Sequence, residues 1–238
     1  MGHCILAVFV LLVAACGFGK SFPLAEEVGK DSNGTITDET LRKLLGMIGE
    51  FVEPVQAIPD YGYSSNSSDS TIFAQANGTS VTDLTDYTIT VAHADMTNLE
   101  FQLGLKFPAL NLSGHYKMYV DDDILHLVGN GPFEVNITSF SLFVNLTFQL
   151  NTNKTLEMKD ISSDFDFDRA KVNFVGLGED EEICAYLNDF INEFIADSMI
   201  ELKPTVMELV KEKLIPLGNF FIGGMTLDEF INYVNSLA

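Results

Sequence analysis

The 238-residue chain predicts an α+β fold in which a long C-terminal amphipathic helix is wrapped by a strongly curved antiparallel β-sheet. Two periodicities carry that expectation. Between about residues 99 and 150 apolar side chains recur at steps of two, as half-buried strands require. From Glu179 the step becomes three and four and stays in phase for about 38 residues, roughly 57 Å of helix at about 1.5 Å per residue. A helix that long exceeds the width of an ordinary domain of this size, so it needs a sheet bent around it.

Residues 1–19 read as a signal peptide. The run Ile5 to Ala15 is apolar but too short to span a bilayer, and small residues after it offer cleavage after Gly17 or Gly19. Val13-Ala14-Ala15-Cys16 also resembles a lipobox, although no basic residue precedes the run. Residues 20–238 are then one domain. Thr37 to Val52 reads as a first helix with Leu41, Leu44, Leu45 and Ile48 on one stripe, stopped by Pro54 and Pro59. Tyr61 to Ser70, rich in Ser, Asn and Gly, reads as a loop.

Strict alternation then marks Leu99 to Phe107, Leu110 to Val120 and Phe140 to Leu150 as long strands. Pro108, Asp121-Asp122-Asp123, Gly129-Asn130-Gly131-Pro132 and Asn151-Thr152-Asn153-Lys154 read as the breaks between them, which implies antiparallel hairpins. In the long helix, Ile183, Leu187, Ile191, Phe194, Ile195 and Met199 form the inward stripe while Asp189, Glu193, Asp197 and Glu201 face away. Pro204 is expected to kink or divide this helix. Thr226-Leu227-Asp228-Glu229 has the capping-box pattern and opens a last helical segment.

Seven N-x-Ser/Thr sequons, at Asn33, Asn66, Asn77, Asn111, Asn136, Asn145 and Asn153, greatly exceed the about two that chance supplies at this composition. With the leader, they predict a secreted glycoprotein. At Asn136 and Asn145 the alternation turns the amide away from the apolar face, so sugars would mark the outer side of the sheet. A formal charge of −21 repels phosphate backbones and anionic headgroups, which excludes nucleic acid as a partner. No later segment is apolar enough for stable membrane insertion. Cys184 is the single cysteine after the leader, so no intrachain disulfide forms and a large core must stabilise the domain.

No catalytic residue, metal site or cofactor is assigned. His93, His115 and His126 have no metal-ligand spacing, and the Asp121 to Asp123 run lacks the alternating ligands and central Gly of an EF-hand. Asp164, Asp166 and Asp168 alternate with Phe165 and Phe167 and read as an exposed acidic ladder. Gly129-x-Gly131 runs into Pro132, which suits a turn and not a phosphate-binding helix start. The 19 Phe, with no Trp, either fill a solid core or line a cavity, since periodicity does not distinguish a ring touching protein from one touching ligand.

The segment Phe107-Pro108-Ala109-Leu110-Asn111-Leu112-Ser113-Gly114-His115-Tyr116 resembles the Pro-x-Leu-x-Leu-x-Gly-x-Tyr strand of the takeout and haemolymph juvenile-hormone-binding proteins of arthropods. Gly129 and Gly131 follow as in that family, and Tyr186-Leu187-Asn188-Asp189 and Glu201-Leu202-Lys203-Pro204 are similar to its helix motifs. The resemblance covers roughly residues 36 to 235. One departure is that no Cys lies between Lys20 and Ile183, where the family usually has a pair near the mature N-terminus.

The resemblance implies an elongated apolar tunnel between sheet and helix, holding a terpenoid, fatty acid or similar lipid. Its lining would come from Phe101, Leu103, Gly114 and Tyr116 on one pair of alternating runs, and from Phe133, Phe140, Val144 and Phe148 on the next. Phe165 and Phe167 would add a further strand, and Leu187, Ile191 and Phe194 the helix. The expected function is therefore a secreted, non-enzymatic carrier of a small hydrophobic ligand, with protein partners unspecified. The alternative is a structural or interaction glycoprotein on the same fold with the tunnel filled. A secreted hydrolase stands third.

Overall fold

The computed structural model describes residues 34–51, 55–58, 60–67, 70–122, 126–222 and 224–237. The expected leader and the sequon at Asn33 lie outside them. In chain order come α1 (Asp38–Phe51), β1 (Val55–Ile58), β2 (Tyr61–Asn66), β3 (Ser70–Thr82), β4 (Thr88–Asp95), β5 (Glu100–Asp122) and β6 (His126–Leu150). There follow β7 (Leu156–Asp166), β8 (Arg169–Phe174), α2 (Glu181–Ile222) and α3 (Leu227–Leu237). The strands form one antiparallel sheet that does not close on itself, ordered β1-β3-β5-β6-β7, with β2 on β3, β4 on β5 and β8 on β6.

Its spine is the β5–β6 ribbon, paired from Glu100↔Thr147 to Asp121↔His126. Pro108 does not end a strand, contrary to expectation. Buried positions on β5 run Phe101, Phe107, then Leu110 and Leu112, and on β6 Phe133, Ile137, then Phe140 and Phe148. Each strand therefore shifts its alternation by one residue at the same level, at Pro108 and at Ser139, whose φ is 53°. A one-residue slip in a single strand would turn its apolar set to solvent. A matched slip in both keeps register and leaves Phe107, Leu110, Ile137 and Phe140 in one core cluster.

The slip also divides the ribbon by partner. Below it β5 pairs with β4 and β6 with β7; above it β5 pairs with β3 and β6 with β8.

Two further expectations are corrected. Tyr61 to Asn66 is not a loop but strand β2, since Tyr61↔Ala76 through Asn66↔Thr71 form a regular ladder. Gly129-Asn130-Gly131-Pro132 is not a turn but the interior of β6. Glycine suits these positions because residues 175–177 run tight against the strand: a Cβ on Gly131 would sit 2.2 Å from the Val175 carbonyl oxygen, and one on Gly129 2.9 Å from Leu177 Cδ1 and 2.7 Å from the Tyr116 hydroxyl of β5. Pro132, lacking a donor, instead accepts from the Val175 N–H at 3.0 Å. The Asn151 to Lys154 break is a hairpin as expected, with Asn151 Oδ1 accepting from the N–H groups of Asn153 and Thr155.

The long helix α2 is a single element of 42 residues, about 63 Å. Pro204 and Pro216 lie inside it and do not divide it. Each would free the carbonyl four residues earlier, at Ile200 and Glu212, and both of those residues are exposed, so water can satisfy the loss. The short helices α1 and α3 close the lower end of the sheet. Thr37 caps α1 through the Thr40 N–H, and Thr226 and Glu229 form the expected capping box on α3. Asp38 ties α1 to β4, accepting from the Ala94 N–H at 2.8 Å and lying 3.2 Å from His93 Nδ1. The Ala94 bond first, and His93 second, hold this carboxyl below the usual carboxylate range.

Candidate functional site

Between the sheet and α2 the core forms three clusters in a row. The lower one joins Phe101 and Phe148 to Leu41 and Leu45 of α1 and Ile231 and Val234 of α3. The rings of Phe101 and Phe148 meet edge to face at 5.4 Å, and Phe230 caps both at 6.2 and 5.7 Å. The middle cluster packs Phe140 and Phe165, 6.1 Å apart, against Ile195, Met199 and Val210 of α2, with Phe167 beside Phe165 at 6.5 Å. The upper cluster holds Tyr116, Phe133 and Leu177, with Phe174 in contact with both rings and Leu187 and Ile191 packed from the helix.

Of the residues expected to line a tunnel, Phe101, Tyr116, Phe133, Phe140, Phe148 and Phe165 are buried in these clusters. Leu103 and Val144 face each other in register and are only partly buried, as are Leu105 and its partner Leu142. Hydrogen-bonded strands flank all four on both sides, so their remaining exposure lies on the concave face. Phe167, Leu187 and Ile191 are likewise partly exposed. These positions define an apolar strip between the lower and middle clusters, extended upward along α2.

Two expected residues have different surroundings. Gly114 lies beneath the Phe133 ring: a Cβ there would come within 2.9 Å of the ring and 3.0 Å of Thr79 Oγ1. The space above it is already filled. Phe194, placed on the inward stripe by its three-and-four spacing, is half-exposed, and its ring instead packs at a tilt against exposed Phe190, 5.0 Å between centroids. Ile183, at the start of the same stripe, is also exposed.

The β7 and β8 edges are sealed by side chains that sequence reasoning missed. On β8, Val172 N–H donates to Asn192 Oδ1 at 2.7 Å and Asn192 Nδ2 returns a bond to the Val172 carbonyl at 2.8 Å. One turn earlier Asn188 does the same to Phe174, at 2.7 and 2.8 Å, and Asn219 to Met158 of β7, at 2.7 and 3.2 Å. An asparagine amide thus stands in for a neighbouring strand on the β7 and β8 edges. The signal available beforehand was the pair Asn188 and Asn192 at i,i+4 on an otherwise apolar face.

Charge continues the seam: Lys203 meets Asp164 and Lys211 meets Asp160, the second pair at 2.7 Å. Eight helical residues rise about 12 Å and four strand residues about 13 Å, which is why both pairs form at once. The acidic ladder of β7 is in part this seam.

Polar groups near the strip are already engaged. The Tyr116 hydroxyl donates to the Val175 carbonyl at 3.2 Å, and burial chiefly, with Cys184 nearby, pushes its pKa up to about 12. The Cys184 thiol donates to the Phe174 carbonyl at 3.2 Å. His93 and His126 lie outside on the surface, beside Asp38 and Asp121. The concave face therefore offers shape and apolar area.

Among the sequons, Asn66, Asn136 and Asn153 are exposed, while Asn111 donates to Asp83. The side-chain oxygens of Asn77 and Asn145 are buried without a partner.

A family model described as haemolymph juvenile hormone binding protein matches residues 52–232. Among solved structures, the crystal structure of Epiphyas postvittana Takeout 1 is similar with a TM-score of 0.51 and 16% identity, covering 71% of this chain and 79% of that one. The crystal structure of lipopolysaccharide binding protein gives a TM-score of 0.41 at 13% identity, covering 79% of this chain and 40% of that one. No curated protein sequence matches.

Proposed function

The chain belongs to the haemolymph juvenile hormone binding protein family, and we propose that it is a secreted, non-enzymatic carrier of a small hydrophobic molecule held between the sheet and α2. The observation that carries the reading is the partly exposed apolar strip on the concave face, centred on Leu103, Leu105, Leu142 and Val144. Apolar side chains in the middle of a paired sheet remain accessible only where none of the described residues covers them. An elongated lipid, a terpenoid or a fatty acid, supplies the missing cover. Its affinity would come mainly from area burial at about 25 cal/mol per Å², less the cost of ordering. The buried rings of Phe101 and Phe148 would bound the space below, and Tyr116 with Phe133 above. Glycans on Asn66, Asn136 and Asn153 would leave that face clear, because all three amides are exposed and Asn136 points away from the core.

A fluorescent fatty-acid analogue, bound and then displaced by unlabelled terpenoids and fatty acids, tests the proposal. Val144→Phe should weaken that binding about tenfold while changing the unfolding midpoint little, since it extends into unfilled space. Absence of analogue binding, together with an empty organic-solvent extract of protein from secretory cells, would overturn it and leave the structural glycoprotein with a filled interior.

A further inference from the structure

The outer side of α2 carries a second apolar surface that no core residue among the described residues uses. Ile183, Tyr186, Phe190 and Phe194 follow one another at steps of three and four, so they form a single stripe about three turns long. Tyr186 is 69% exposed, Phe194 51%, Phe190 44% and Ile183 41%. The inward face of the same helix, at Ile195 and Met199, is buried against the sheet, so the stripe is a second face and not the margin of the first. Three aromatic rings in succession on a solvent-facing helix are an interaction surface by their area alone.

The surrounding charge selects the occupant. Glu182, Asp189 and Glu193 run along one flank of the stripe, and Asp197 and Glu201 cross its C-terminal end. Glu179 to Glu182 crowd its N-terminal end, and all eight carboxylates between residues 179 and 201 are exposed. No Lys or Arg occurs between Lys171 and Lys203. A second copy of the chain would bring an identical acidic rim against this one, at a formal charge of −21 per chain. A phospholipid surface would strip water from the carboxylates and return no cation to each of them. A basic amphipathic helix meets both demands, laying its apolar face on the rings and its Lys and Arg along the acidic flank.

We infer that the Ile183–Phe194 stripe is the docking site for another protein's amphipathic helix with a basic rim and an apolar face about three turns long. The site is separate from the ligand enclosure: Leu187 and Ile191, between the two, turn inward. It stands whether or not a lipid is carried.

The test uses the full mature chain and a synthetic helical peptide of about 18 Leu and Lys residues, with one Trp in its apolar face. The protein has no Trp, so all tryptophan emission is the peptide's. Binding should shift that emission to the blue and be at least about tenfold tighter than binding of a scrambled peptide of the same composition. Phe190→Ser with Phe194→Ser, and separately Tyr186→Ser, should each weaken it about tenfold with an unchanged unfolding midpoint. Asp189→Lys with Glu193→Lys should weaken it and flatten its salt dependence. Val144→Phe, inside the enclosure, should leave it unaltered. Equal binding of the scrambled peptide, or indifference to the ring substitutions, would overturn the proposal. So would ring-dependent binding to phosphatidylcholine vesicles without peptide binding, or ring-dependent dimerisation of the protein.

Discussion

At the lower end of the β5–β6 ribbon, Phe101 and Phe148 are covered by side chains of other elements, Leu41 and Leu45 from α1 and Phe230, Ile231 and Val234 from α3. At the upper end, side chains of Phe174, Leu177, Leu187 and Ile191 pack on Tyr116 and Phe133, but main chain also closes in: the 175–177 segment runs tight against β6 at Gly129 and Gly131, and Asn188 and Asn192 bond the open edge of β8. One ribbon in one register is thus closed by apolar packing below, and by apolar packing reinforced with close approach and hydrogen bonding above. The two kinds of closure fail differently. Packing lost at the lower end leaves a cavity that neighbours can partly fill, whereas at the upper end a single added methyl group meets a carbonyl oxygen that belongs to the main chain.

The largest effect should come from the lower end. Phe148→Ala removes a buried ring that touches two others and should cost about 3–5 kcal/mol in a denaturant titration. At the upper end, Gly131→Ala should cost about 3 kcal/mol, the high side of overpacking, because a Cβ 2.2 Å from Val175 O forces the adjoining 175–177 segment to move. Gly46 sits in α1 with nothing within 4 Å of an added Cβ, and Gly46→Ala should stabilise by about 0.5–1 kcal/mol. If the two Gly→Ala changes behaved alike, the close-approach account of the upper end would be wrong.

The edge seal gives the next effect. Asn192→Ala leaves the Val172 N–H and carbonyl without their partners and should cost about 2 kcal/mol. Amide exchange should accelerate at Val172 while remaining slow at Ile137, inside the ribbon. Leu in place of Asn192 should be no better, since the lost bonds and not the lost volume set the cost.

How far these features could be read in the sequence follows from what kind of signal each leaves. The apolar alternation of Leu99 to Phe107 and Phe140 to Leu150, and the long run of three-and-four spacing after Glu179, report burial directly, and the strands and α2 are where they predict. Pro108 and the Gly129 to Pro132 run read as breaks because proline and glycine are local signals, while their actual role depends on a strand or loop distant in sequence. A matched slip in two strands is invisible in either one alone. Phe194 misled for a similar reason: two apolar faces on one helix share a spacing, and only packing shows that one of them is outside. The strip at Leu103 and Val144 was legible as apolar, but its partial exposure depends on what α2 leaves uncovered.

The smallest expected effect compares the ion-pair seam with both closures. Lys211 meets Asp160 where α2 packs on β7, and Asp160 pairs with Thr147, which faces Glu100 at the lower end of the ribbon. The hydrogen bond from Lys211 is the main reason the Asp160 carboxyl lies below its ordinary value of 3.8, and the same bond raises Lys211 above 10.5. A carboxyl depressed in the folded state contributes stability that is present above the unfolded value and is lost as pH falls through the folded one. A raised ammonium contributes below its unfolded value, and that share is lost as pH rises through the folded one. The pair should therefore add stability from about pH 4 to about pH 10, and less on either side. Both groups are largely exposed, so the gain is small and screened by salt. Lys211→Met keeps the stem over the strand and removes the charge. Its denaturation midpoint should fall slightly below the parent's at pH 7 and low salt, and the gap should close in 1 M salt and narrow as pH falls below about 4. A gap unchanged by both salt and acid would show that the Lys211 stem, and not its charge, joins helix to sheet. The seam would then be apolar packing like the lower end.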